Sequence, residues 1–293
     1  MGIDIGQALR EGASRTAAKN GLVLAVVFAG IALLTAVLFQ SLTVAAFEWL
    51  LSVFQSMTPQ EMGVDPAEYD QMITEFETAL ETVKETSPLA LGISTGVAAG
   101  GLLVLALVAE AVSIIAVRVF AAEDIESVSG ELATERILFA TLNGFVGGIV
   151  VWGLIIVGLL FLLLPGIIFA VLFYFLRQEI ALNDKNFVQG MADSWRLTKG
   201  NRIEVLLIGA ILVIASRLEE VSSAAIGVVS TPAGTIVAAI VGGVLSAFGA
   251  AVATRAYVQI DDSNGAAEDA VETEPEDEPD PYDAALGPDD LPR

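Results

Sequence analysis

The stretch that decides the fold is Leu164 to Arg202, LPGIIFAVLFYFLRQEIALNDKNFVQGMADSWRLTKGNR. A Pro-Gly break opens an apolar helix whose apolar character ends at Arg177. A short amphipathic segment then brings Arg196, Lys199 and Arg202 to the foot of the next apolar run. Apolar runs joined by basic interfacial pieces are the pattern of helices that cross a membrane. The rest of the chain agrees. Of its 293 residues 55% are hydrophobic and 17% charged, against about a quarter charged in soluble domains. Ala, Gly, Val, Leu and Ile dominate, without the alternation of polar and apolar residues that barrel strands need. The expected fold is therefore all-α: a polytopic bundle of six transmembrane helices with interfacial amphipathic helices and a disordered acidic tail.

Read outward from that stretch, residues 1–20 form an interfacial helix, in which Asp4 and Gln7 have capping-box spacing and Ile5, Leu9 and Ala13 share one face. Residues 21–258 form the transmembrane domain. The first span runs from Leu22 to Phe39, and apolar sequence continues to Phe54 past Glu48 as a prolongation of the same helix or an interfacial piece. Asp65-Pro66-Ala67-Glu68 supplies an N-cap, a proline at the first helical position and a capping Glu, which predicts an amphipathic helix over 66–86 with Tyr69, Met72, Ile73, Phe76, Leu80 and Val83 on its apolar stripe. That helix reads either as a lid on the bundle or as a surface for a partner or cation. The remaining spans are expected at Leu89–Arg118, Ile137–Leu164, Ile167–Leu182, Ile203–Val229 and Thr235–Val258, with a turn at 230–234 and an interfacial helix at 184–200 that Gly200 closes. Residues 259–293 hold too few large apolar side chains to offset the entropy of ordering them.

Small residues mark packing faces. Gly92, Gly96 and Gly100 form a doubled GxxxG in the second span and Gly144 with Gly148 a single one in the third. Gly242 and Ser246 belong to a small-residue seam at four-residue spacing in the sixth, with Ala238, Ala250 and Thr254. Orientation follows from the basic residues. With six spans and both termini cytoplasmic, twelve lie inside and only Lys84 and Arg217 outside, which places the protein in the cell membrane as a multi-pass protein. Ser14–Asn20 (SRTAAKN) and Ser194–Gly200 (SWRLTKG) also echo one another, so three repeats of an interfacial helix plus two spans are an alternative to chance similarity.

The formal charge is −22, with thirteen acidic residues from Asp261 onward and eight between Glu61 and Glu85. This argues against a nucleic-acid partner and suits a halophile's protein, because high salt screens the self-repulsion. Neither cysteine nor histidine occurs, which removes thiol and imidazole chemistry. No catalytic constellation can be assembled, no cofactor is called for, and the protein is expected not to be an enzyme.

Pro165, Gly166, Ser194, Trp195, Leu197, Thr198, Lys199, Gly200 and Asn201 carry a resemblance. The pattern of LPG, a short helix and SWRLTKGNR is similar to a family of uncharacterised six-helix membrane proteins common in haloarchaea. That family looks related to the membrane domain attached to some bacterial glycerophosphodiester phosphodiesterases. The resemblance implies the fold and no activity.

Two groups of candidate residues follow. Glu110 lies within the second span, where an ionisable side chain is costly. It is expected to pair with Arg177 or Arg136 or to titrate as a proton-relay carboxylate, while Arg217 and Glu220 form a second charged cluster. Ser194, Trp195, Arg196, Lys199 and Arg202 are candidates for binding a lipid headgroup; the alternative is a helix that only seals the cytoplasmic face. The function expected is a non-enzymatic, membrane-organising component that meets membrane lipids and a membrane-protein partner or a second copy of itself. A small-solute or ion transporter using Glu110 and the Arg217/Glu220 cluster is the alternative.

Overall fold

The computed structural model describes residues 2–125, 130–227 and 231–272. Their regular structure is all helix, with no strand among the described residues: α1 (Ile5–Ala17), α2 (Lys19–Gln55), α3 (Pro59–Met62), α4 (Pro66–Thr86), α5 (Thr95–Ala121), α6 (Gly130–Thr134), α7 (Ile137–Leu162), α8 (Leu164–Leu172), α9 (Leu176–Asn183), α10 (Phe187–Leu197), α11 (Arg202–Gly227) and α12 (Thr231–Glu272). Successive long helices run antiparallel around a ring of α2, α5, α7, α8–α9, α11 and α12, which α12 closes against α2. Five helices among the described residues are long and apolar enough to cross a membrane, one fewer than the six predicted. The exception to the predicted six is α11, which has the length yet carries Arg217, Glu219 and Glu220 in its second half.

The apolar stretch from Ser41 to Phe54 is a prolongation of the first span. At 37 residues α2 rises roughly 55 Å, well beyond a hydrocarbon core of about 30 Å. The excess forms an arm with α4, whose bounds are those that Asp65 and Pro66 predict and whose first turn Asp65 caps. The stripe of α4 lies on this prolongation of α2 and not across the bundle: Phe76 sits between Phe47 and Phe54 at 6.2 and 5.0 Å, and Lys84 reaches Glu48 at 2.7 Å. The second span starts later than expected, at Thr95. Residues 89–94 are irregular backbone, and α2 side chains satisfy part of it, with Leu89 N donating to Gln40 Oε1 and Leu91 N to Ser41 Oγ.

Gly158 and Gly166 let α7 and α8 fold back tightly on one another, a β-carbon at Gly166 lying 2.7 Å from the Ile155 carbonyl oxygen. The returning pass is broken at 173–175, and the hydroxyl of Ser194 bridges the break, donating to Leu172 O at 2.9 Å and accepting from Phe175 N at 3.1 Å. The N-terminal helix is no free interfacial element either. Asp4 caps it, and Ile3 and Ala8 are buried with Val252, Ala256 and Ile260 of α12. Asp4 N donates to Gln259 Oε1, and Glu11 accepts from Arg255. Burial alone would raise the Glu11 carboxyl, but hydrogen bonds from Gln7 and Arg255 outweigh it and hold its pKa below the ordinary carboxylate value.

Two boundaries near the C-terminus also move. Thr231 to Gly234, read as a turn, form the first turn of α12, where Pro232 is at home near an N-terminus. The helix then continues past residue 259 to Glu272, since the packing of Ile260 on α1 carries it outward; the rest of the predicted tail, 273–293, lies outside the described residues.

Candidate functional site

The candidate residues fall into three polar groupings, and the first lies at mid-depth. Glu110 stands near the middle of α5, with 9% of its surface exposed. Its carboxylate accepts from both Arg177 Nε (3.0 Å) and Arg177 Nη2 (2.9 Å), the two-pronged geometry that only a guanidinium offers. Of the two partners the sequence allowed, Arg177 is the one brought to Glu110; Arg136 instead pairs with Asp184 at 3.1 Å. The sequence put Arg177 near the cytoplasmic end of its helix, whereas the break at 173–175 sets it level with Glu110, about 12 Å of helix rise from Arg118. Gly144 of α7 makes room for the carboxylate, since a β-carbon there would collide with Glu110 Oε1. Its smallness serves the ion pair, where the spacing suggested a helix-helix contact.

Arg177 and Tyr174 line two cavities. One, of about 510 Å³, lies among α2, α5, α9 and α12; the other, of about 140 Å³, lies toward α7 and contains Glu110, Gly144 and Gly148. Because it borders both, the Arg177 side chain is 46% exposed despite its partner. Gln178 borders the larger cavity. It is 4% exposed, and its Oε1 has no hydrogen-bond partner among the described residues. Ser246 also lines this cavity. Sequence reading missed Gln178 and Tyr174; the available signal was two polar residues flanking an arginine in an otherwise apolar helix.

The second grouping is the set of headgroup candidates on α10 and at the start of α11, which the structure divides. Ser194 is fully buried and spent on the α8–α9 break, so it is unavailable to a headgroup. Arg196 pairs with Asp193. Trp195 is 47% exposed and packs its ring 6.1 Å from that of Phe173. Lys199 and Arg202 are exposed and hold no carboxylate among the described residues, and Gly200 between them takes φ 95°, the left-handed conformation expected of a helix-closing glycine. Most other cations at this end are engaged. Arg15 donates to the carbonyls of Phe120 and Ala122 at the end of α5, Arg118 to that of Ala181, and Lys185 bridges Glu179 and Asp193. The third grouping, Arg217 with Glu220 on α11, forms the expected pair at 2.5 Å, with both side chains exposed.

Apart from Gly144, the close helix-helix approaches do not fall on the predicted motif glycines. A β-carbon at Gly96, Gly100 or Gly148 would meet nothing within 4 Å, and Gly92 lies outside α5 in equally open space. The close approaches belong to their neighbours. Gly101 faces Leu38 at 3.2 Å, Gly147 faces Leu176 and Phe187 at 3.0 Å, and Gly243 faces the Ala29 backbone, with its α-carbon at 2.6 Å. Gly242 is buried in the same turn. Each residue turns a helix by about 100°, so a shift of one places the close contact on a different face.

No curated protein and no solved structure matches the chain. A family model described as a domain of unknown function, DUF7847, matches residues 3–260, nearly the whole described bundle, and the chain belongs to that family.

Proposed function

We propose that this is a non-enzymatic membrane protein that organises anionic lipid at the rim formed by the end of α10 and the start of α11. The observation that carries the reading is the pair Lys199 and Arg202, exposed and without acidic partners among the described residues, beside a half-exposed Trp195, at an end of the bundle where most other basic residues are already engaged. A tryptophan at headgroup depth flanked by free cations suits an anionic headgroup, and each near-surface charge contributes about 1 kcal/mol of attraction. In the high-salt setting that the acidic composition suits, the screening length falls to about 3 Å, so binding rests on direct charge-assisted hydrogen bonds.

The test is bound anionic lipid per protein, purified at working salt. Replacing Lys199 and Arg202 together with Gln should lower it by an order of magnitude or more, given about 1.5 kcal/mol for the charge-assisted hydrogen bond that each side chain makes at this salt. Arg196→Gln should change little, its charge being already paired with Asp193. Equal retention of lipid by the folded double variant would leave these residues as topology determinants only.

The same reading places α1, α10 and the C-terminal end of α12 in the cytoplasm and the α2–α4 arm outside. With no native cysteine as background, single cysteines at Thr86 and Asp262, both exposed, decide this. An impermeant thiol reagent on intact cells should label position 86 and spare position 262; the reverse pattern would invert the topology. A transport reading is favoured by one observation, the two cavities that meet at Arg177. Solute flux in proteoliposomes that Glu110→Gln abolishes, without loss of folded protein, would establish it.

A further inference from the structure

The cavity of about 510 Å³ beside Arg177 has a composition that selects its occupant. Its walls include Phe28, Ile31 and Val117, and its polar groups include Arg177, Gln178 and Ser113. Its size falls within the range of small-molecule sites, and it exceeds the roughly 30 Å³ share of one water more than tenfold. A water cluster filling it would face apolar walls over much of its surface. Two groups on α9 lack partners. Gln178 Oε1 is a buried acceptor with no donor among the described residues, and Arg177 spends Nε and Nη2 on Glu110 while Nη1 makes no hydrogen bond to another described residue. An acceptor and a donor therefore stand unpaired on consecutive residues at the edge of an apolar space.

Charge narrows the choice further. Arg177 is neutralised by Glu110, and among the described residues no other charged side chain lines this cavity, Tyr174 contributing a neutral phenol. An anion would add an uncompensated charge to apolar surroundings, and a carboxylate or phosphate dianion has no hydrogen to give Gln178. A hydroxyl group meets both demands, accepting from Arg177 Nη1 and, once the Gln178 amide turns toward the cavity, donating its O–H to Oε1, which is otherwise buried. We propose that this cavity binds a neutral amphiphile with a hydroxyl head, an alcohol whose hydrocarbon tail lies on Phe28, Ile31 and Val117. The site shares no residue with the cytoplasmic rim and stands or falls separately from it.

The probe is a diazirine-bearing decanol, added to the full-length protein in lipid nanodiscs and photolysed, with the modified residues mapped by mass spectrometry. Saturable labelling is expected within 28–32 and 109–117. 1-Decanol should compete for it, while decane and decanoate compete more weakly by about fivefold, the net worth of one hydrogen bond. Gln178→Leu should reduce labelling by a similar factor, and Ala109→Phe, which fills the cavity from α5, should abolish it. Labelling confined to outward-facing residues such as Leu160 would overturn the proposal. So would decane competing as well as decanol, which would mark an apolar void, or decanoate competing better, which would mark an anion site. The competition series is read on the wild-type protein, so the outcome does not depend on either variant folding.

Discussion

Glu110→Leu should destabilise the bundle by about 3 kcal/mol, because it strands a guanidinium that cannot shed its proton. Arg177 makes both of its described side-chain hydrogen bonds to Glu110, at 3.0 and 2.9 Å, and lies level with the middle of α5. The value belongs at the low end of the range for broken buried pairs, since the side chain borders two cavities and is 46% exposed. Glu110→Leu combined with Arg177→Met removes both charges and should recover most of the loss, as replacing a buried pair by apolar groups of similar volume often does. The measurement is reversible unfolding in mixed detergent for wild type, both single variants and the double. If Glu110→Leu proves as stable as wild type, water reaches Arg177 freely, and the pair is better regarded as part of an aqueous path.

Gly243→Leu should cost about 3 kcal/mol or more, whereas Gly96→Leu should stay within about 0.5 kcal/mol of wild type. At Gly243 the added carbon meets the Ala29 backbone, which cannot rotate aside as a side chain could, and this is the contact by which α12 closes the ring against α2. At Gly96 there is open space within 4 Å. Thermal melting of the two variants in the same detergent separates the outcomes. A loss at Gly96 equal to that at Gly243 would mean that the open face of α5 is covered by another molecule.

Those two predictions rest on features that the sequence places only loosely. GxxxG spacing identifies α5 and α7 as helices with small residues, yet the residues in close contact are Gly101 and Gly147, each one position from a motif glycine. Local pattern shows that a helix carries a small-residue stripe; the rotation of that helix about its axis is set by neighbours from distant parts of the chain. The same holds for the site. Glu110 stands out in sequence as a charge in an apolar run, but its choice of Arg177 over Arg136 depends on the break at 173–175, which Ser194 of another helix stabilises. Ser194 itself looked like a ligand residue, because its buried partners, Leu172 O and Phe175 N, are about twenty residues away. Nothing near Gln178 in sequence announces that its amide borders a cavity shared by four helices.

By itself the sequence determined the helical membrane class, the bounds of α4 through Asp65 and Pro66, the Asp4 cap of α1 and the left-handed turn at Gly200. These are set by composition or by residues within about four positions of one another, where hydrogen-bonding period and backbone sterics act. Only the tertiary structure decided which glycine meets a backbone, which arginine Glu110 holds and which cations stay unpaired. Those outcomes depend on the depth and rotation at which separate helices pack, and no stretch of sequence contains both sides of such a contact.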